Sequence, residues 1–134
     1  MDLSMSIIKA DLLMARQGIE LYKNKEIKEV KNQVAYHLQQ AAEKLIKIQV
    51  YSSGCEYNNR SMYVHNISTL ASYADSLGID MYIPTDVRNN SVVISDWEAS
   101  GRYDLHFSVR INTLEKYYEV IDKWYERLYK RGIR

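Results

Sequence analysis

Apolar residues recur along most of this chain at intervals of three and four, the period of a helix with one buried face. The first stripe is Ile8, Leu12, Ala15, Ile19 and Tyr22, and the polar run Lys23-Asn24-Lys25-Glu26 closes it. A second stripe runs Ile27, Val30, Val34, Leu38, Ala41, Leu45 and Ile48, about seven turns long. It stops at Ser52-Ser53-Gly54, where glycine can take the left-handed cap. Within it Glu43 and Lys47 form an i,i+4 pair with the acid first, which predicts a place on the wet face. After the polar loop "CEYNNRSMYVH", Asn66 reads as the N-cap of a short helix. That helix has Ile67, Leu70, Ala74 and Leu77 on one side and Gly78 behind it. Thr85 or Asp86, just past the single proline, can start a fourth helix carrying Val87, Val93, Ile94 and Trp97. Asn112 and Glu115 have capping-box spacing. They open a last helix with Leu114, Tyr118, Ile121, Trp124 and Leu128 on its stripe, ended at Gly132.

One segment breaks this rhythm. In "RYDLHFSVRI", residues 102–111, Tyr103, Leu105, Phe107, Val109 and Ile111 alternate with polar residues, and a period of two argues for extended chain. The pattern as a whole predicts an all-α domain spanning 1–134, with four to five helices and a short extended segment before the last. In that segment Arg102, His106 and Arg110 share one face if the chain is extended. They stay roughly stacked if it is helical, so their placement together does not depend on the local structure.

Composition narrows the function classes. With 134 residues, 46% hydrophobic and 26% charged, the chain can bury a core and is not a disordered sequence. The single cysteine, Cys55, rules out an internal disulfide framework and suits a reducing compartment. No apolar run approaches the roughly 20 residues of a membrane span. The stretch "MDLSMSIIKADLL" has no basic leader before a short apolar core. A cytoplasmic protein without a membrane segment is expected. A net charge of +1 excludes a strongly basic field, so any RNA contact must come from a local patch. A glycine-rich phosphate loop, a CxxC pair and a Glu-x-x-His set are all absent, so neither metal nor cofactor is expected. His37, in helical phase between Val34 and Ala41, reads as a packed histidine at a helix seam. The twelve tyrosines suit half-buried positions at such seams.

Three segments in order carry a family resemblance: "AYHLQQAAEKLIK" on the long second helix, "VHNISTL" opening the third, and "DWEASGRYD" closing the fourth. Together they resemble the HEPN family, the nucleotide-binding domain of higher eukaryotes and prokaryotes. The resemblance covers nearly the whole chain. It implies an up-and-down bundle of four or five helices, usually dimeric, and the number of aliphatic and aromatic stripe positions also leaves apolar surface for a homodimer to bury. Many members resemble metal-independent ribonucleases and often pair with a small nucleotidyltransferase.

The resemblance implies a site built from an arginine and a histidine with four to six residues between them. Histidine titrates near neutrality and can move a proton to or from a ribose hydroxyl, while arginine can hold a phosphate bidentately. By position the catalytic pair is Arg102 and His106, here with three residues between them. Tyr103 stands where a polar neighbour is usual, and Arg110 is placed to assist. A second pair, Arg60 and His65, has four residues between its members and lies in the loop before the third helix. Arg110, Tyr103, Arg60 and His65 are therefore expected to bind substrate. His65 also reads as a helix-start residue. Two functions follow: an RNA-cleaving domain of toxin type, or a non-catalytic helical module that binds nucleotide, RNA or a nucleotidyltransferase.

Overall fold

The computed structural model describes residues 3–25, 27–99 and 109–134. Among them the chain is all-helical and forms a bundle of seven helices with no strand. Four are long enough to frame it: α1 (Met5–Lys25), α2 (Glu29–Ser52), α4 (Ile67–Ser76) and α7 (Ile111–Lys130). Three are short: α3 (Asn59–Met62), α5 (Thr85–Asn89) and α6 (Ser91–Asp96).

The helix stripes dictate the packing. Ile8, Leu12, Ala15 and Ile19 of α1 are buried against α2, and Gly18 lets the two backbones close up. A Cβ at Gly18 would lie 2.5 Å from Cγ2 of Val34. The two helices run antiparallel, because Gly18 meets Val30 and Val34 while the earlier Asp11 meets the later His37 and Lys44. Helix α7 is antiparallel to α1 as well: Lys9 pairs with Asp122, and Lys23 with Glu115. On its inner face Leu114, Ile121, Trp124 and Leu128 are buried, and Tyr117 and Tyr125 join them.

Helix α2 lies at the centre, packed against α1 and α7 and also against α4 and α6. Its expected stripe from Val34 to Ile48 is buried, but so are Ala35, Ala42, Ile46 and Val50 around the cylinder. This overturns the wet-face placement of Glu43 and Lys47, which are 3% and 5% exposed. A helix enclosed on several sides has no solvated face for an ion pair there.

Local signals decide the ends. Asn66 caps α4 as expected, its Oδ1 accepting from the Thr69 N–H at 2.9 Å. Asn58 caps α3 in the same way through Ser61, in a loop read as irregular from the sequence. The expected fourth helix is two pieces, broken where Asn90 leaves helical geometry at φ −118° and ψ 23°. The break keeps Val87, Ile94 and Trp97 buried and turns Val93 outward. Ile27 is exposed because α2 starts only at Glu29. The capping box is not formed: α7 begins at Ile111 without a side-chain cap, and Glu115 reaches Lys23 instead. Of the expected extended run, Arg110 is extended and Ile111 is already helical, while 102–108 lie outside the described residues.

Candidate functional site

Gln39, Glu43 and Lys47 follow one another at four-residue spacing, so α2 aligns them along a single face. All three are buried. Glu43 sits in the middle and accepts three hydrogen bonds. Oε2 takes one from Lys47 Nζ at 2.9 Å. Oε1 takes one from Gln39 Nε2 at 3.1 Å and one from the His65 ring at 2.9 Å. Gln39 also donates to the His65 carbonyl at 3.0 Å, and its own Oε1 accepts from Gln40 at 2.8 Å. A buried carboxylate is tolerable only with this many donors around it.

This arrangement fixes His65 from two sides, through its backbone and its ring. An ionised carboxylate can only accept, so Nδ1 of His65 donates to Glu43 and Nε2 is turned away from it. Nε2 makes no hydrogen bond among the described residues, and the His65 side chain is 63% exposed. A titratable nitrogen thus stands at the surface with a buried acid holding its far side, the same orienting arrangement that activates a general base. Sequence spacing singled out Glu43 only as half of a surface pair with Lys47, and did not single out Gln39. The readable signal was a run of polar residues four apart, lodged between the buried stripes of Leu38, Ala41 and Leu45 on one side and Ala42 and Ile46 on the other.

The stretch of chain that leads into His65 carries exposed aromatic and basic residues. Tyr63 and Tyr57 are both exposed, and Tyr57 sets its ring edge-on to Tyr51 at 5.1 Å between centroids. Burial raises the Tyr51 hydroxyl above its ordinary 10.0, with smaller contributions from Tyr57, Tyr63 and the Glu43 carboxylate. Tyr51 therefore stays a neutral phenol near the anchoring acid. Arg60, on α3, is exposed and makes no ion pair among the described residues. An arginine and exposed tyrosine rings supply the two interactions that hold a single nucleic-acid strand, phosphate contact and base stacking.

A second polar cluster marks the α1–α2 seam. Asp11, buried on α1, accepts from the His37 ring at 2.9 Å and from Lys44 at 2.6 Å. His37 is the packed seam histidine that the sequence predicts, its ring edge-on to Tyr36. Arg110, expected to bind substrate, is exposed at the start of α7. Arg102, Tyr103 and His106 lie outside the described residues, as does any contact between them. Among the described residues no group of histidine, cysteine or acidic side chains is placed to hold a metal ion. No helix there is long and apolar enough to cross a membrane. No family model, curated protein or solved structure matches the chain.

Proposed function

We propose that the chain is a cytoplasmic HEPN-type domain that binds single-stranded RNA and cleaves it without a metal. One observation carries this reading: the ring of His65 closes onto Glu43. That contact joins two of the segments on which the family resemblance rests, "QQAAEK" and "VHNIS", into one polar unit, and the chain leading into it exposes Arg60, Tyr57 and Tyr63.

In the proposed reaction the ribose 2′-oxygen attacks the adjacent phosphorus and the bond to the 5′-oxygen breaks. A base takes the 2′ proton, an acid returns one to the leaving oxygen, and the products are a cyclic phosphate and a 5′-hydroxyl. His106 is the proton-transfer group and Arg102 the phosphate anchor. Tyr103, Arg110, Arg60 and His65 hold the strand. Histidine near neutral pH can serve in both proton steps.

The same surface favours a second reading, a module that binds RNA without cleaving it. Arg60, Tyr57 and Tyr63 need no proton transfer to grip a strand. A labelled RNA oligomer incubated with the protein in EDTA separates the two. Cleavage that disappears in His106→Ala, with the melting temperature kept, supports the nuclease. Salt-sensitive binding without products, weakened in Arg60→Ala, supports the module. An oligomer that is neither bound nor cut sinks both.

A further inference from the structure

Helix α7 sorts its charges by side. Glu115, Glu119, Asp122 and Glu126 follow at intervals of four, three and four, which sets them in one row. That row runs beside α1, where Lys23 pairs with Glu115 and Lys9 lies 3.7 Å from Asp122 and 3.9 Å from Glu126. Lys116, Lys123, Arg127 and Lys130, at intervals of seven, four and three, form a second row about 21 Å long. Arg131 extends it at the helix end. All five cations are exposed, and among the described residues none has an ion-pair partner.

Arg127 is held in place by a support that reaches into the core. Its guanidinium lies over the Tyr82 ring, 3.8 Å from the centroid. The Tyr82 backbone is fixed in turn by Gln49, buried on α2. Gln49 Oε1 accepts from the Tyr82 N–H and its Nε2 donates to the Tyr82 carbonyl, both at 2.9 Å. Arg131 lines a hollow with Ser52, Ser53 and Cys55, and Asp80 is the acid on its wall. That hollow lies at the root of the exposed segment that carries Tyr57 and Arg60.

We infer that the basic row of α7 is a phosphate track, along which the backbone of a single RNA strand runs towards Arg60. The inference rests on the RNA reading proposed above and adds a contact surface to it. A net charge of only +1 means that the chain must concentrate its cations to hold a polyanion, and this row does so. A protein partner would call for an apolar or aromatic centre, and a membrane surface for an apolar face beside the cations. The row offers neither, because the apolar face of α7 is in the core. Of the large apolar side chains exposed among the described residues only Tyr129 is on α7, and Arg134 covers its ring. Cations about 4 to 11 Å apart along a straight helix match repeated phosphate contacts.

The test is the salt dependence of binding to a fluorescent single-stranded 2′-O-methyl RNA of about 16 nucleotides, which lacks the hydroxyl needed for cleavage. The triple variant Lys123→Gln, Arg127→Gln, Lys130→Gln should flatten the slope of log K against log[salt] by about 2, near 0.7 per lost contact. Lys123→Gln with Lys130→Gln, which leaves Arg127 on Tyr82, should flatten it by about 1.4 with the melting temperature kept. Lys25→Gln with Lys28→Gln removes two exposed charges elsewhere and should leave the slope unchanged. RNA bound with a slope indifferent to the row, or flattened as much by the Lys25 and Lys28 pair, overturns the track and leaves the RNA reading standing. No RNA binding overturns both, as does binding to phosphatidylserine vesicles in place of RNA.

Discussion

Glu43 and Lys47 meet inside the protein at 2.9 Å, with side chains 5% and 6% exposed, although each is of a type that normally seeks water. The pair is stable only as a pair. Replacing Lys47 by Met strands the Glu43 carboxylate, and the expected loss is about 3–5 kcal/mol. The double variant Glu43→Gln with Lys47→Met removes both charges and should recover at least about half of that. Urea midpoints of the three proteins, at unchanged slope, check the order.

His65 should behave differently although it touches the same carboxylate. Its side chain is 63% exposed, and Glu43 keeps Lys47 and Gln39 when it is gone. His65→Ala is expected to cost no more than about 1 kcal/mol. Comparing its urea midpoint with that of Glu43→Ala, which leaves Lys47 unpaired, separates the anchor from the side chain it presents. Equal losses in the two variants would make His65 a structural residue and remove it from the binding surface.

Gly18 is a spacing residue. Alanine is the better helix former by about 1 kcal/mol, yet its methyl would meet a stiff valine at 2.5 Å. Overpacking of this sort costs about 1–3 kcal/mol, so Gly18→Ala should lose about 1 kcal/mol net. Gly18→Ala combined with Val34→Ala should regain part of the loss, because the methyl then has room. Thermal melts of both variants read this directly.

Alkali should unfold the protein through its tyrosines. Burial, the largest cause in each case, raises the hydroxyls of Tyr51, Tyr117, Tyr118 and Tyr125 above the ordinary 10.0. The unfolded chain therefore releases these protons at a lower pH than the folded one. Stability is fully held below about pH 10 and is lost as pH rises through the folded values. A tyrosinate absorbance titration should show an early phase from exposed rings and a later, cooperative phase that coincides with loss of helical signal. A single phase without unfolding would mean these four phenols ionise in place.

The stripes of α1, α2 and α7 were legible because each of those helices buries the face that its apolar spacing defines. Sequence spacing did not reveal how many neighbours a helix has. Glu43 and Lys47 read as a solvated pair because an isolated helix always has a wet face, and α2 has none at that height. Glu115 read as part of a local cap, but its partner Lys23 lies 92 residues away. Asn90 has no strong breaking character, so the split between α5 and α6 is set by the burial of Val87 and Ile94 on the same core. The site was half legible. His65 and Arg60 stand out by residue type and spacing, whereas the acid that orients His65 looks in sequence like ordinary helix surface.

The central position of α2 has a kinetic consequence. Backbone amides enclosed by neighbours on several sides open only with large-scale unfolding, so α2 should hold the slowest-exchanging hydrogens of the chain. The segment from Ser52 to Arg60 is exposed throughout and should exchange quickly. His65 joins these two regimes: its ring reaches solvent, and its backbone and Nδ1 are tethered to Gln39 and Glu43. A strand bound as proposed would meet one imidazole held from both ends, beside an exposed segment that is pinned at Asn58 through its bond to the Tyr73 hydroxyl.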